Sequence, residues 1–173
     1  MRRLFLIRHA KAQPPTAGED YDRPLARRGR EDASRIAIAL ADRNMLPAVL
    51  IHSGAARAKE TAEILASEWD NAVRIEEEIG LYDAPQDVLF ERAQALRDNE
   101  ERVALVGHNP GLGELALSLA GSGSHLALKR MHLKFPTCAV AALDFDIENW
   151  RDIEHKSAKL VLFLSPSELE EPG

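Results

Sequence analysis

Covalent cross-linking plays no part in this chain, because its 173 residues include a single cysteine, Cys138. No intrachain disulfide can form, and a reducing cytoplasm suits such a sequence. Aromatic residues are sparse at 5%, so the core must be built from aliphatic side chains. There is no surplus of positive charge either. The formal net charge of −6 argues against broad electrostatic binding of nucleic acid or of an anionic membrane. No apolar run approaches the ~20 residues of a membrane span. Arg2 and Arg3 precede an apolar stretch in the manner of a signal peptide, but Arg8 interrupts that stretch after Ile7, far too soon. The expectation is a soluble, cytoplasmic protein forming one domain over residues 1–173, long enough to bury a full core without a structural metal.

Where apolar residues do concentrate, they form short runs that end in charge. Leu4-Phe5-Leu6-Ile7 leads straight into Arg8, His9 and Ala10, and an unbroken apolar run reads as a strand buried on both faces of a parallel sheet. Ala48-Val49-Leu50-Ile51-His52 leads into Ser53 and then Arg57, and Val103-Ala104-Leu105-Val106 leads through Gly107 into His108. In open α/β sheets, ligands bind at the carboxyl ends of the strands. If the three strands are parallel, Arg8, His9, Arg57 and His108 converge at one edge beside helix N-termini. That is an anion site, and phosphate fits it best.

Helical patterns separate these strands. A helix over residues 29–43 presents Ala33, Ile36, Ala37 and Leu40 on one face. A second follows Ser53, a natural N-cap, with Ala58, Thr61, Ala62 and Leu65 inward and Arg57 in its first turns. Residues 86–99 give a third. The fourth opens at Asn109-Pro110, where Asn109 caps and the missing proline N–H costs nothing, and closes at Gly121. Residues 73–75 read as a short edge strand. Strand and helix alternate, which argues for βαβ units. Residues 121–134 are polar without a clear element, and His125 and His132 belong at the surface. Residues 138–145 and 159–164 then read as strands that include an antiparallel edge, with Cys138 packed in the first. Residues 165–173 look like a short acidic tail.

One stretch has no apolar period at all. Residues 10–29 hold Pro14, Pro15, Gly18 and Pro24, and loops of this length in a compact domain are usually functional. This loop is expected to overhang His9. It carries Lys11, Asp22, Arg23, Arg27 and Arg28, of which Arg23, beside the rigid Pro24, is the best further phosphate ligand.

Phosphoryl transfer asks little covalent chemistry of a protein. It needs a positioned nucleophile, positive charge around three equatorial oxygens and a way to protonate the leaving group. A neutral histidine serves as nucleophile, arginine forks clamp oxygens, and a protonated second histidine adds a charge-assisted hydrogen bond. A metal site at His9 and His108 is the weaker alternative, since two arginines repel a cation and no third ligand stands at useful spacing. A dinucleotide site is excluded, because Gly107, Gly111 and Gly113 lack the G-x-G-x-x-G spacing.

At this point the chain resembles the histidine phosphatase superfamily, and within it the short phosphohistidine phosphatases of the SixA type. Leu4 to Ala10 is similar to the strand and Arg-His-Gly signature of that family. Ser53-x-x-x-Arg57-Ala58-x-x-Thr61-Ala62 resembles its second motif, Gly107-His108 its second histidine, and Asp22-Arg23-Pro24-Leu25 before Gly29 a segment of the SixA branch. The resemblance implies a three-layer α/β/α sandwich with a mostly parallel central sheet, phosphoglycerate mutase-like, with no cofactor and no metal. It implies a phosphohistidine intermediate on His9, with Arg8, Arg57 and His108 as the other catalytic residues. Arg23, Ser53 and Asn109 are the expected substrate-binding residues.

Two departures stand out. Ala10 replaces the signature glycine, which is harmless only if its φ stays negative. The catalytic acid of larger members would fall at Gly80, leaving Glu78, Asp83 and Asp22 as unassigned stand-ins. The expected function is a metal-independent phosphatase acting on a phosphorylated substrate, either a phosphohistidine protein or a small phosphomonoester. A catalytically weak module that binds phospho-ligands is the competing reading.

Overall fold

The computed structural model describes residues 1–169. One seven-stranded sheet, in the order β3-β2-β4-β1-β6-β7-β5, runs through the middle. Its first four positions are filled by β1 (Arg2–Arg8), β2 (Val49–His52), β3 (Arg74–Glu77) and β4 (Arg102–Gly107), all parallel. The sheet is completed by β5 (Ala120–Gly123), β6 (Val140–Phe145) and β7 (Ala158–Leu164). β6 runs antiparallel to both β1 and β7, while β5 at the far edge is parallel to β7. The antiparallel strand expected at an edge therefore lies inside the sheet, and β3 is the edge strand at the other side.

The unbroken apolar runs of β1 and β4 have the cause anticipated for them, because both faces of the sheet are covered. Side chains alternate along β1. Leu4 and Leu6 join one core with Val103, Leu105, Leu89, Leu112 and Leu115, while Phe5 and Ile7 join the other with Ala104, Val106, Ile36, Leu40 and Leu65. The second core lies under α1 (Arg27–Asp42) and α2 (Ala56–Glu68), which pack together. The first lies under α3 (Gln86–Gln94) and α4 (Gly111–Leu119), with α5 (His125–Leu133) against β7. This is the expected α/β/α sandwich, and burying both faces of the central strands is its main source of stability.

Several local expectations are corrected. α1 starts two residues early, and α3 ends at Gln94, although Leu96 still reaches the core. The polar segment left without an element holds both β5 and α5, with His125 and His132 exposed as expected. Gly121 does not cap α4 but lies in β5, where a Cβ would meet the Lys156 carbonyl oxygen at 1.9 Å. Its absence of a side chain lets β5 lie against the turn before β7 and does not terminate a helix. Cys138 is fully buried but sits just ahead of β6 with φ 62°, its N–H shared between the carbonyls of Arg8 and His9. Burial pushes its thiol pKa well up, so it packs rather than reacts. The tail expected at 165–173 begins with a 3₁₀ turn, Pro166–Leu169, and its remaining residues lie outside those described. Arg2, which hinted at a targeting sequence, donates to the carbonyls of Asp98, Glu100 and Glu148 and closes the amino end of β1.

Candidate active site

Strand register fixes the geometry of the site. Arg8 pairs with Gly107 and Ile7 with Val106, while His52 pairs with Val106 from the other side. The next residues outward are therefore neighbours in space: His9, His108 and Ser53. The ladder reaches one residue past β1, with the His9 N–H donating to the Gly107 carbonyl at 3.0 Å. The rings of His9 and His108 lie 5.1 Å apart at an interplanar angle of 52°.

His9 is buried, and its Nδ1 lies 2.7 Å from the carbonyl oxygen of Ala10. A carbonyl only accepts, so Nδ1 carries the proton and Nε2 keeps a free lone pair. Burial is the largest cause of a pKa pushed down to about 3, with the charges of His108, Arg57 and Arg8 acting in the same direction. The ring is neutral at ordinary pH. Ala10 is fully buried and is not among the residues with positive φ, so the missing signature glycine has no conformational consequence. Its N–H donates to Thr61 Oγ1, and the Thr61 hydroxyl donates to the Arg57 carbonyl. One threonine thus ties the nucleophile's loop to the helix that carries the arginine.

His108 is held by Ser53, whose Oγ is 2.6 Å from Nε2. Ser53 was expected to cap α2, but Ala55 occupies the cap position without a side-chain bond. Ser53, expected to bind substrate, is fully buried on the floor of the site. The hydroxyl has a stronger partner in the ring of His108. Burial, and next Arg57, bring the His108 pKa down to about 4.

Arg57 was at risk of being an ordinary surface arginine, but it is buried at the first turn of α2. Arg8 donates through Nη1 to the carbonyl of Phe135, at 3.1 Å. Asn109 is used in the same place, with Nδ2 donating to Phe135 O and Oδ1 accepting from the Gly113 N–H. Both ends of Asn109 are thereby spent on backbone, and α4 begins at Gly111 with Pro110, not Asn109, at the cap position, one residue later than expected. Three buried nitrogens in this cluster have no protein partner: Arg8 Nε, Arg57 Nε and His108 Nδ1. Buried polar nitrogens without a partner are rare and costly, and the two guanidinium donors among them, beside His9, suit an anion with several acceptor oxygens.

The overhanging loop does reach the site, through residues that sequence reasoning passed over. A 3₁₀ turn at Asp20–Asp22 places the Asp20 carboxylate against Arg57, whose Nη2 donates to Oδ2 at 3.0 Å and Nη1 to the backbone carbonyl at 2.8 Å. The Tyr82 hydroxyl donates to the same Oδ2 at 2.6 Å. Tyr82 stands edge-on to the His108 ring at 5.4 Å, and Arg57 lies 5.8 Å from the centre of the Tyr82 ring. Arg23 reaches the rim, where it donates to Asp20 Oδ1 and the Gln13 carbonyl. The other loop charges stay away: Arg27 pairs with Glu31 and Arg28 with Asp32, while Lys11 is exposed. Of the proposed acids, Glu78 pairs with Arg92, and Asp22 and Asp83 are exposed. The charged segment 20–23 was visible in the sequence, but which of its carboxylates turns inward depends on Tyr82 and Arg57, distant in the chain.

Among the described residues, no three His, Cys, Asp or Glu side chains group to hold a metal ion. No helix there is long and apolar enough to cross a membrane.

Comparison with known proteins shows the family. Residues 4–83 match the model of the histidine phosphatase superfamily, branch 1. An uncharacterised protein of Mycobacterium leprae is 35% identical over 167 residues, covering 92% of this chain and 99% of its own. The crystal structure of an Agrobacterium tumefaciens protein assigned as the phosphohistidine phosphatase SixA is 30% identical, with a TM-score of 0.80 over 95% of this chain and 98% of that one. The chain belongs to the histidine phosphatase superfamily, in its SixA-type branch. A further SixA, solved in complex with tungstate, shares the fold with a TM-score of 0.71 at 21% identity, over 97% of this chain and 99% of that one. As a member of the histidine phosphatase superfamily, the chain carries its Arg-His, Ser-x-x-x-Arg and Gly-His motifs at the ends of three adjacent parallel strands and in the turns that follow them.

Proposed function

We propose that this histidine phosphatase hydrolyses phosphohistidine on a protein substrate, through a covalent phosphohistidine on His9 and without a metal. The carrying observation is the pairing of a neutral, tautomerically fixed His9 with the unpartnered Nε donors of Arg8 and Arg57 and the unpartnered Nδ1 of His108. In the first step, the Nε2 lone pair of His9 attacks phosphorus and the bond to the leaving nitrogen breaks, its electron pair returning to that nitrogen. The arginines hold the equatorial oxygens, where charge gathers in the transition state. In the second step water attacks phosphorus, the phosphorus–Nε2 bond breaks with its electron pair returning to Nε2, and both water protons leave with the inorganic phosphate as dihydrogen phosphate.

The leaving group distinguishes phosphohistidine from alkyl phosphates. An alkoxide needs a proton from a placed carboxylic acid, and Gly80 stands exposed where that acid would fall. An imidazole already protonated on its far nitrogen departs as a neutral molecule and makes no such demand. A SixA of the same fold was solved in complex with tungstate, itself an oxyanion.

The test is single-turnover labelling with a ³²P-phosphohistidine peptide. Acid-labile, alkali-stable label should appear on the wild type and be absent from His9→Ala, and turnover should persist in EDTA. Stable label in His9→Ala, or activity that chelation abolishes and zinc or magnesium restores, would overturn the mechanism. Binding of phosphopeptide without turnover would favour the competing role as a binding module.

A further inference from the structure

The Asp20 carboxylate is the charged group at the rim that this chemistry leaves without a task. Five hydrogen bonds converge on the residue from three side chains: two from Arg57, two from Arg23 and one from the Tyr82 hydroxyl. Its side chain is nonetheless half-exposed, whereas that of Arg57 is buried. The carboxylate therefore faces the mouth of the pocket while its inner side rests on the arginine that binds phosphate. Tyr82, which supports it, is packed against His108.

These bonds decide what the group can do. The Tyr82 hydrogen bond is the largest cause of a pKa lowered to about 2, with Arg57 next among the causes that lower it. A carboxylate ionised at all working pH values cannot protonate an alkoxide. It can accept a hydrogen bond, and it repels negative charge brought to the same place. Arg57 has Nε free for a phosphoryl oxygen while Nη1 and Nη2 stay on Asp20. The half-exposed carboxylate has room to accept one further N–H at the rim.

Resting on the phosphohistidine reading above, we infer that Asp20 is a specificity-determining residue, which accepts the N–H of a cationic nitrogen leaving group and so selects protonated phosphoramidates over phosphate esters. A phosphorylated imidazole with a proton on its far nitrogen carries positive charge that a carboxylate stabilises. Pairing with Asp20 keeps that proton in place while the phosphorus–nitrogen bond breaks, and neutral imidazole is released. An aryl or alkyl ester offers no N–H and develops negative charge beside the carboxylate. Asp20 thus does by electrostatic selection what a catalytic acid does by proton donation in an enzyme acting on esters.

The experiment compares specificity constants for a phosphohistidine peptide, for phosphoramidate ion and for p-nitrophenyl phosphate, in wild type, Asp20→Asn, Asp20→Glu and Tyr82→Phe. Asp20→Asn keeps the size of the side chain, and an unchanged thermal midpoint establishes that it folds. The ratio of phosphoramidate to aryl phosphate turnover should fall about tenfold to a hundredfold in Asp20→Asn, the range for losing one hydrogen bond to a charged group. It should fall less in Tyr82→Phe and recover in part in Asp20→Glu. A ratio unchanged in Asp20→Asn, with both substrates altered by the same factor, would overturn the role of Asp20 and leave the phosphohistidine reading standing. Wild type that turns over the aryl ester but no phosphoramidate would remove that reading, and the inference with it.

Discussion

The hydroxyl of Ser53 lies 2.6 Å from Nε2 of His108, and it joins the end of β2 to the end of β4 across the floor of the site. This bond leaves Nδ1 of His108 as the ring atom available to a phosphoryl oxygen. Ser53→Ala should therefore lower kcat by about tenfold to a hundredfold with little change in KM. A buried ring nitrogen left unpaired should also cost about 1–3 kcal/mol of stability. Steady-state kinetics beside thermal unfolding checks both, and wild-type kcat in the variant would show that His108 is placed by packing alone.

Arg57 offers the clearest test of the oxyanion clamp. Arg57→Ala should lose about 10²–10³-fold in kcat/KM, the scale for removing a charge-stabilising donor. Arg57→Lys should restore little, because a point charge does not reproduce the fork that spans Asp20 and the site. A lysine variant within threefold of wild type would mean that charge matters here and geometry does not.

The histidines predict a pH dependence in stability. His9 and His108 have folded pKa values of about 3 and about 4, below the ordinary 6.5. Above pH 6.5 both are neutral folded or unfolded and contribute no difference. As pH falls from 6.5 toward 4, the unfolded chain takes up protons that the folded chain refuses. Each histidine then costs about 1.4 kcal/mol per pH unit until its folded pKa is reached. Bound sulfate, dianionic throughout, favours protonation of His108 and should raise the unfolding midpoint more at pH 5 than at pH 8. The His9 ring resonances should show no titration between pH 5 and 8, and a midpoint near 6.5 would refute the neutral nucleophile.

Gly54 sets how closely the overhanging loop closes. It has φ +86°, and a Cβ there would meet the Tyr21 hydroxyl at 2.1 Å. Gly54→Ala should cost about 1 kcal/mol or more for the left-handed conformation alone. By pushing Tyr21 away it should loosen the turn that carries Asp20. Protease cleavage within residues 10–26 should become faster, and the loss of activity should be greater on phosphoramidates than on p-nitrophenyl phosphate.

The sequence by itself determined the framework. Apolar runs of four or five residues ending in Arg8-His9, in His52-Ser53 and in Gly107-His108 left few places for those side chains other than the carboxyl edge of a parallel sheet. That is because short, non-alternating strands must be covered on both faces and therefore need crossover helices. The convergence of Arg8, His9, Arg57 and His108 follows from that periodicity, and the roles expected of them from the family resemblance. Hydrogen-bond partners do not. Ser53 looks like a helix cap from its neighbours in the chain, and only the pairing of β2 with β4 shows that His108 is the better partner. The long loop has no period from which to read direction. Asp20 rather than Asp22 turns inward because Arg57 and Tyr82, 37 and 62 residues away, supply the donors that hold it there. Tertiary structure decided which charges meet, since a loop side chain takes its place from long-range electrostatics and not from local propensity.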